Sequence, residues 1–170
     1  MGTRRADFTE FYRRAKDECF FTVLVTVGDR ETAQELVAEA FARAWACWPA
    51  VSKHPAPRAW VVRTALNANI SRWRRHRREV PVPDPGSVAD LPTADEAADS
   101  SVDPRIMATL MRLPERQRQV VALRLFLDLD TDHTAQVLGI APGTVQAHLG
   151  RAIATLRADL IPQRQQENRS

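Results

Sequence analysis

The sequence predicts an all-α protein of two small helical domains, an N-terminal helical bundle and a C-terminal helix-turn-helix domain, joined by an acidic Pro-rich linker. Three observations carry that expectation. Apolar residues recur at i, i+3, i+4 and i+7 in both halves of the chain. Residues 79–103 break the pattern with prolines at 81, 83, 85 and 92 among Ser and Asp. Charge is segregated along the same boundaries: residues 79–103 hold seven acids and no Lys or Arg, so the net +3 hides two basic flanks. Such flanks suit a polyanionic partner. A length of 170 residues fits one ordinary domain or two small ones.

Local signals set each element in turn. Asp7 and Glu10 have capping-box spacing, with Phe8, Phe11, Tyr12, Ala15 and Cys19 following at helical intervals until Gly28. Asp29 can cap a second helix, where Ala33, Leu36, Val37, Ala40, Phe41, Ala44, Trp45 and Trp48 form one apolar stripe ended by Pro49. Pro57 suits a first helical position, and a third helix runs to about Arg78. Three matching stripes close a bundle over residues 6–78. After the linker, Asp103-Pro104 opens a helix bearing Ile106, Met107, Leu110 and Met111, and Pro114 starts another with Val120, Val121, Leu123 and Leu125. "DTDHTAQVLGIAPGTVQAHLGRAIATLR" then reads as a helix, a tight turn at Gly139 and a second helix, whose inner face is Val145, Leu149, Ala152, Ile153 and Leu156. This domain spans 104–162, and 163–170 is expected to be a disordered tail.

Several function classes are disfavoured at once. Cys19 and Cys47 form no CxxC and fall on apolar faces, so both are expected to be buried, reduced thiols. His54, His76, His133 and His148 are scattered, no HExxH or Gly-rich phosphate loop appears, and the acids sit mainly in the linker. No catalytic residue, metal site or cofactor is expected. The N-terminus lacks an apolar signal region and no run is long enough to span a bilayer, so a cytoplasmic protein without membrane insertion is expected.

The third helix carries the chemistry. "SRWRRHRR" packs five arginines and a histidine around Trp73. On a helical wheel Val62, Ala65, Leu66 and Trp73 share one side, which makes Trp73 a core residue; Asn69 falls there too and needs a partner if buried. Trp60, Thr64, Asn67 and Ser71 lie opposite, with Arg63 and Arg74 beside them. Solubility alone would call for Glu or Lys there. An exposed indole beside short amides and hydroxyls suits stacking on unpaired bases and hydrogen bonding to their edges. Arg72, Arg74, Arg75, Arg77 and Arg78 would add a phosphate grip, which gives affinity without sequence information.

These residues make a resemblance specific. The chain resembles a bacterial RNA polymerase sigma factor of the extracytoplasmic-function class, most of all the SigE-like group of actinobacteria. "GDRETAQELVAEAFARAW" is similar to the family's polymerase-docking helix, "PRAWVVRTALNANISRWRRHRR" to the helix that reads and opens the −10 element, and the segment from Leu113 to Arg157 to the domain that reads the −35 element. The resemblance implies a docking set of Glu35, Leu36, Glu39, Phe41, Arg43 and Trp45, with Ala38 standing where the family usually has Gln. It implies −10 contacts by Trp60, Arg63, Thr64, Asn67, Ser71, Arg74, Arg75, Arg77 and Arg78, with Asn67 cradling a flipped base. For the −35 element it implies Thr131, Gly143, Thr144, Gln146, Ala147, His148 and Arg151 within a helix-turn-helix over 131–150. Gln146, Ala147 and His148 replace the family's more basic run and Gly150 a larger residue, so fewer and less cationic −35 contacts are expected. Core RNA polymerase and promoter DNA, duplex and melted, are the implied partners, and the family admits an anti-sigma factor as a further one. In the family the linker threads toward the polymerase active-site cleft, where acids can mimic RNA; a passive tether is the alternative. The competing expectation is a stand-alone helix-turn-helix regulator binding duplex DNA as a dimer. It leaves Trp60 and Asn67 without a purpose.

Overall fold

A computed structural model describes residues 2–79 and 103–167. The described residues form eight helices and no strand: α1 (Gly2–Val27), α2 (Arg30–Ala46), α3 (Trp48–Val51), α4 (Pro57–Glu79), α5 (Pro104–Arg112), α6 (Glu115–Leu125), α7 (Thr131–Leu138) and α8 (Pro142–Glu167). The chain divides into two compact units, α1–α4 and α5–α8. The linker acids, from Asp84 to Asp99, lie outside the described residues.

In the first unit α1, α2 and α4 pack on one another. Gly28 adopts a positive φ of 84°, which only glycine takes without strain, and this lets α2 fold back along α1. Asp29 then caps α2, its carboxylate accepting the Thr32 N–H at 2.8 Å. Cys19 and Val23 of α1, Leu36 and Ala44 of α2 and Val61, Val62 and Ala65 of α4 are fully buried. At one end the aromatic residues gather: Tyr12 meets Phe41 edge-on at 4.9 Å, and Phe8 lies 5.1 Å from Trp45 and 5.2 Å from Trp48.

The first unit departs from the sequence pattern at four places. The helix does not open at Asp7; it begins at Gly2, and Glu10 bridges Arg14 at 2.7 Å instead of closing a cap. The extra turn is held from outside, because the Arg4 guanidinium donates to the Trp45 carbonyl at 2.8 Å and lies 4.9 Å from that ring. Pro49 does not end α2, which stops at Ala46; Pro49 falls in the first turn of α3, where its missing N–H costs nothing. Cys47, as the C-cap of α2, steps off the apolar stripe and is exposed. Trp73 is 55% exposed, because burial along α4 ends at Leu66 and the helix outlasts the partners that its stripe packs against.

In the second unit α6 and α7 pack together, and α5, α6 and α7 each pack on α8. Asp103 caps α5 by accepting the Arg105 N–H at 2.8 Å. Asp130 caps α7 by accepting the His133 N–H at 2.8 Å. Gly139, with φ 65°, makes the left-handed turn that lets the Ile140 N–H reach the Ala135 carbonyl at 3.1 Å. Val120, Ala135 and Val145 form the core of this turn, with Leu138, Ile140 and Leu149 packed against it. Leu125 and Ile153 face outward, contrary to the apolar pattern, with Leu125 65% exposed at the end of α6. Helix α8 continues through Pro162 to Glu167, past the boundary expected at residue 162.

Candidate polymerase and nucleic-acid surfaces

Helix α2 separates the residues that the sequence grouped on it. Glu35, Ala38 and Arg43 are exposed and Glu39 half-exposed. Leu36 and Phe41 are in the core, at 0% and 5% exposure, so they cannot touch a partner without unfolding the bundle. Trp45 is 40% exposed but belongs to the aromatic cluster with Phe8.

The exposed acids are tied to α4. Glu35 accepts from Arg72 at 2.7 Å, Arg72 lies 3.7 Å from Glu39, and Glu39 accepts from Arg43 at 2.6 Å. Arg72 was expected to grip phosphate, but its guanidinium is engaged by the α2 acids instead. The signal was available, since Arg72 stands seven residues after buried Ala65 and so shares its side of the helix.

The opposite face of α4 has the composition expected, with its hydroxyls already committed. Thr64 donates to the Trp60 carbonyl at 2.8 Å and Ser71 to the Asn67 carbonyl at 3.0 Å. These two side chains are left as acceptors. Trp60 is half-buried, and Arg63, Asn67, Arg74 and Arg75 are exposed. Among the described residues the Asn67 amide makes no hydrogen bond, so donor and acceptor are both available. Arg75 reaches back to the Ser71 carbonyl at 3.4 Å. The side chains of His76, Arg77 and Arg78 lie outside the described residues. Asn69 is only half-buried, which relieves its need for a protein partner.

In the helix-turn-helix, buried Val145 and Ala152 fix the roll of α8, and Gly143, Thr144, Gln146, Ala147 and Arg151 consequently face out. Gln146 donates through Nε2 to the Thr131 hydroxyl at 3.1 Å. His148 is half-buried and its Nδ1 is enclosed without a partner among the described residues, so it presents less to a groove than its neighbours do.

Neither cysteine makes a site. Burial pushes the Cys19 thiol up to about 12, against the opposing pull of Arg58. Among the described residues no cluster of His, Cys, Asp and Glu could hold a metal ion, and no helix is long and apolar enough to cross a membrane.

Residues 11–79 match the family model for sigma-70 region 2, and residues 104–156 match that for sigma-70 region 4. The RNA polymerase sigma-E factor of Streptomyces coelicolor is 31% identical over 159 residues, 91% of this chain and 86% of the relative. The ECF RNA polymerase sigma factor SigL of Mycobacterium tuberculosis is 31% identical over 137 residues, 78% of this chain and 77% of the relative. Among solved structures, the sigma factor RpoE in complex with the anti-sigma factor NepR from Bartonella quintana aligns with a TM-score of 0.69, at 22% identity over 91% of this chain and 96% of that one. CnrH, solved with the cytosolic domain of CnrY, aligns with a TM-score of 0.57 at 22% identity, over 91% of this chain and 87% of its own. These two likenesses bear on the fold.

Proposed function

Because the chain belongs to the sigma-70 family, in its extracytoplasmic-function class, it binds core RNA polymerase and directs promoter-specific transcription, and we propose that the surfaces above divide that work. Glu35, Glu39 and Arg43 dock on polymerase. Trp60, Arg63, Asn67, Arg74 and Arg75 of α4, with Arg77 and Arg78, engage and open the −10 element. The exposed face of α8 reads the −35 element. Residues 6–78 and 104–162 are the working domains and 79–103 the connection between them.

The observation that carries this reading is the exposed Asn67 amide, which makes no hydrogen bond among the described residues, on a helix face flanked by arginines. Strand opening is a capture process. An extruded base gains hydrogen bonds and stacking that offset a few kcal/mol of lost stacking in the duplex. Two units on one chain bind two elements together, so weak affinities combine through effective concentration. A dimeric regulator would use only residues 104–156 and leave the α4 face idle. The protein works in the cytoplasm and has no catalytic step of its own, lending recognition to the polymerase that makes RNA. An anti-sigma factor is a further partner on this reading, because the RpoE neighbour was solved with one.

Run-off transcription by core polymerase on a genomic promoter library, with and without this protein, tests the reading. Asn67→Ala should lose duplex promoters and partly recover on a pre-melted bubble. Equal opening of duplex promoters by Asn67→Ala and wild type, read by permanganate footprinting, would sink the base-capture role.

A further inference from the structure

We propose that Gln146 reads an adenine in the −35 element and that Thr131 is the positioning residue that holds it ready to do so. The inference rests on the sigma-factor reading and adds a base and a mechanism to it. Gln146 stands in the second turn of α8, exposed, on a helix whose roll is pinned by buried Val145. Its Nε2 donates to the Thr131 hydroxyl at 3.1 Å. Thr131 is itself anchored, as the half-buried first residue of α7 behind the Asp130 cap. A free glutamine would lose its rotamer freedom on meeting DNA. Here the protein has taken part of that loss in folding.

The chemistry of a primary amide completes the argument. It has two N–H groups, and the one pointing away from its carbonyl can serve Thr131. The other stays beside the carbonyl oxygen, and together they present a donor next to an acceptor. In the major groove adenine offers the complement, the N7 acceptor beside the N6 amino donor. Guanine offers two acceptors, cytosine a donor without the neighbouring acceptor, and thymine an acceptor beside a methyl group. The same edge therefore prefers adenine. Non-specific grip does not compete here, because residues 142–150 contain no Lys or Arg and the first cation on α8 is Arg151. A phosphate could take only an N–H from this amide, whereas adenine engages its donor and its acceptor together.

The test uses full-length protein with core polymerase on a promoter panel carrying each base at each −35 position, read by single-round run-off transcription. Wild type should prefer adenine at one position by about tenfold, the lower part of the range for a bidentate contact. Gln146→Ala should flatten that position alone, and Gln146→Glu should move its preference to cytosine, whose N4 amino group a carboxylate accepts. Thr131→Val should weaken the adenine preference several-fold at the same position, and Thr131→Ser, which keeps the hydroxyl, should restore it. A purely structural role for Thr131 would lower output on all promoters alike and leave the preference intact. Three results overturn the inference: an adenine preference that survives Gln146→Ala, a different preferred base at the position Gln146 controls, or Thr131→Val matching wild type across the panel. A wild type that drives no promoter-dependent transcription sinks the sigma-factor reading itself and the inference with it, whereas transcription without the adenine preference sinks the inference alone.

Discussion

Reversing the charge of Glu35 and Glu39 would be the obvious test of polymerase docking, but the structure makes it a poor one. Both acids face Arg72, and Glu39 also holds Arg43. Arginines there would set four guanidinium groups against one another across α2 and α4. Neutralisation is cleaner. The Glu35–Arg72 contact is well formed at 2.7 Å, the Arg72–Glu39 contact is long at 3.7 Å, and their side chains are 37–55% exposed. Exposed pairs contribute roughly 0.2–1 kcal/mol each, less in salt. Losing both bridges should therefore cost about 0.5–1 kcal/mol, which for a unit of this size lowers the unfolding midpoint by roughly 2–8 °C. Arg72→Gln and the double variant Glu35→Gln/Glu39→Gln both remove the two Arg72 bridges, and the double variant also loses Glu39–Arg43, which should add only about 0.2–0.5 kcal/mol to its loss. They should differ in pull-down of core polymerase without DNA. The acidic variant should bind weakly while Arg72→Gln binds as wild type. If Arg72→Gln loses polymerase equally, the acids act by setting the position of α4, and the exposed face of α2 is not the docking surface.

Further outcomes can be measured on the same protein. Leu36→Ala should cost about 2–5 kcal/mol of stability, because it empties a fully buried site, so any loss of polymerase binding will track unfolding measured by circular dichroism. Arg74→Ala and Arg75→Ala should each flatten the slope of log affinity against log salt by roughly 0.7–0.9, without changing which promoter is preferred. Hydrogen bonds from Thr32, side chain before backbone, hold the Asp29 carboxyl below the usual carboxylate range. A lowered folded pKa means that this cap stabilises fully above about pH 4 and loses its effect as pH falls through the folded value. Asp29→Ala should accordingly cost about 1 kcal/mol at pH 7, and the gap to wild type should close in strong acid. A thiol reagent near pH 8 should label exposed Cys47 in the native protein and reach Cys19 only on unfolding, because burial keeps Cys19 protonated.

What could be read from the sequence was decided by locality. The Asp29 and Asp103 caps and the Gly139 turn are set by residues within three or four positions, and each forms as expected; the Asp130 cap is equally local and was not singled out. Asp7 and Glu10 carry an equally local pattern and do not cap, because a capping box acts only where the backbone leaves the helix. Arg4, held by Trp45 some forty residues away, keeps it helical. Trp73 fails for the same kind of reason. Its position on the apolar stripe is visible in α4, but the lengths of the helices that would cover it are not. Leu36 and Phe41 show the limit of carrying roles over by motif. A docking helix has two faces, and the resemblance marks both, while only burial separates the face that folds the bundle from the face that meets a partner.

The two nucleic-acid surfaces are unequal, and the inequality bears on how a promoter is chosen. Helix α4 exposes Arg63, Arg74 and Arg75 with Asn67, so on the proposed reading cation-driven affinity and base capture would sit together. The outer face of α8 has no cation before Arg151, and its half-buried histidine turns one nitrogen inward. Backbone contacts supply most of the affinity of a DNA-binding surface, whereas base contacts supply the selection. On the proposed reading, the outer face of α8 would bind weakly alone and discriminate when tethered, because a promoter already held by polymerase and α4 would meet it at high effective concentration. A mismatch of about 1.4 kcal/mol at the −35 element then changes occupancy about tenfold. An added lysine on α8 would raise every promoter's affinity and leave that ratio unchanged.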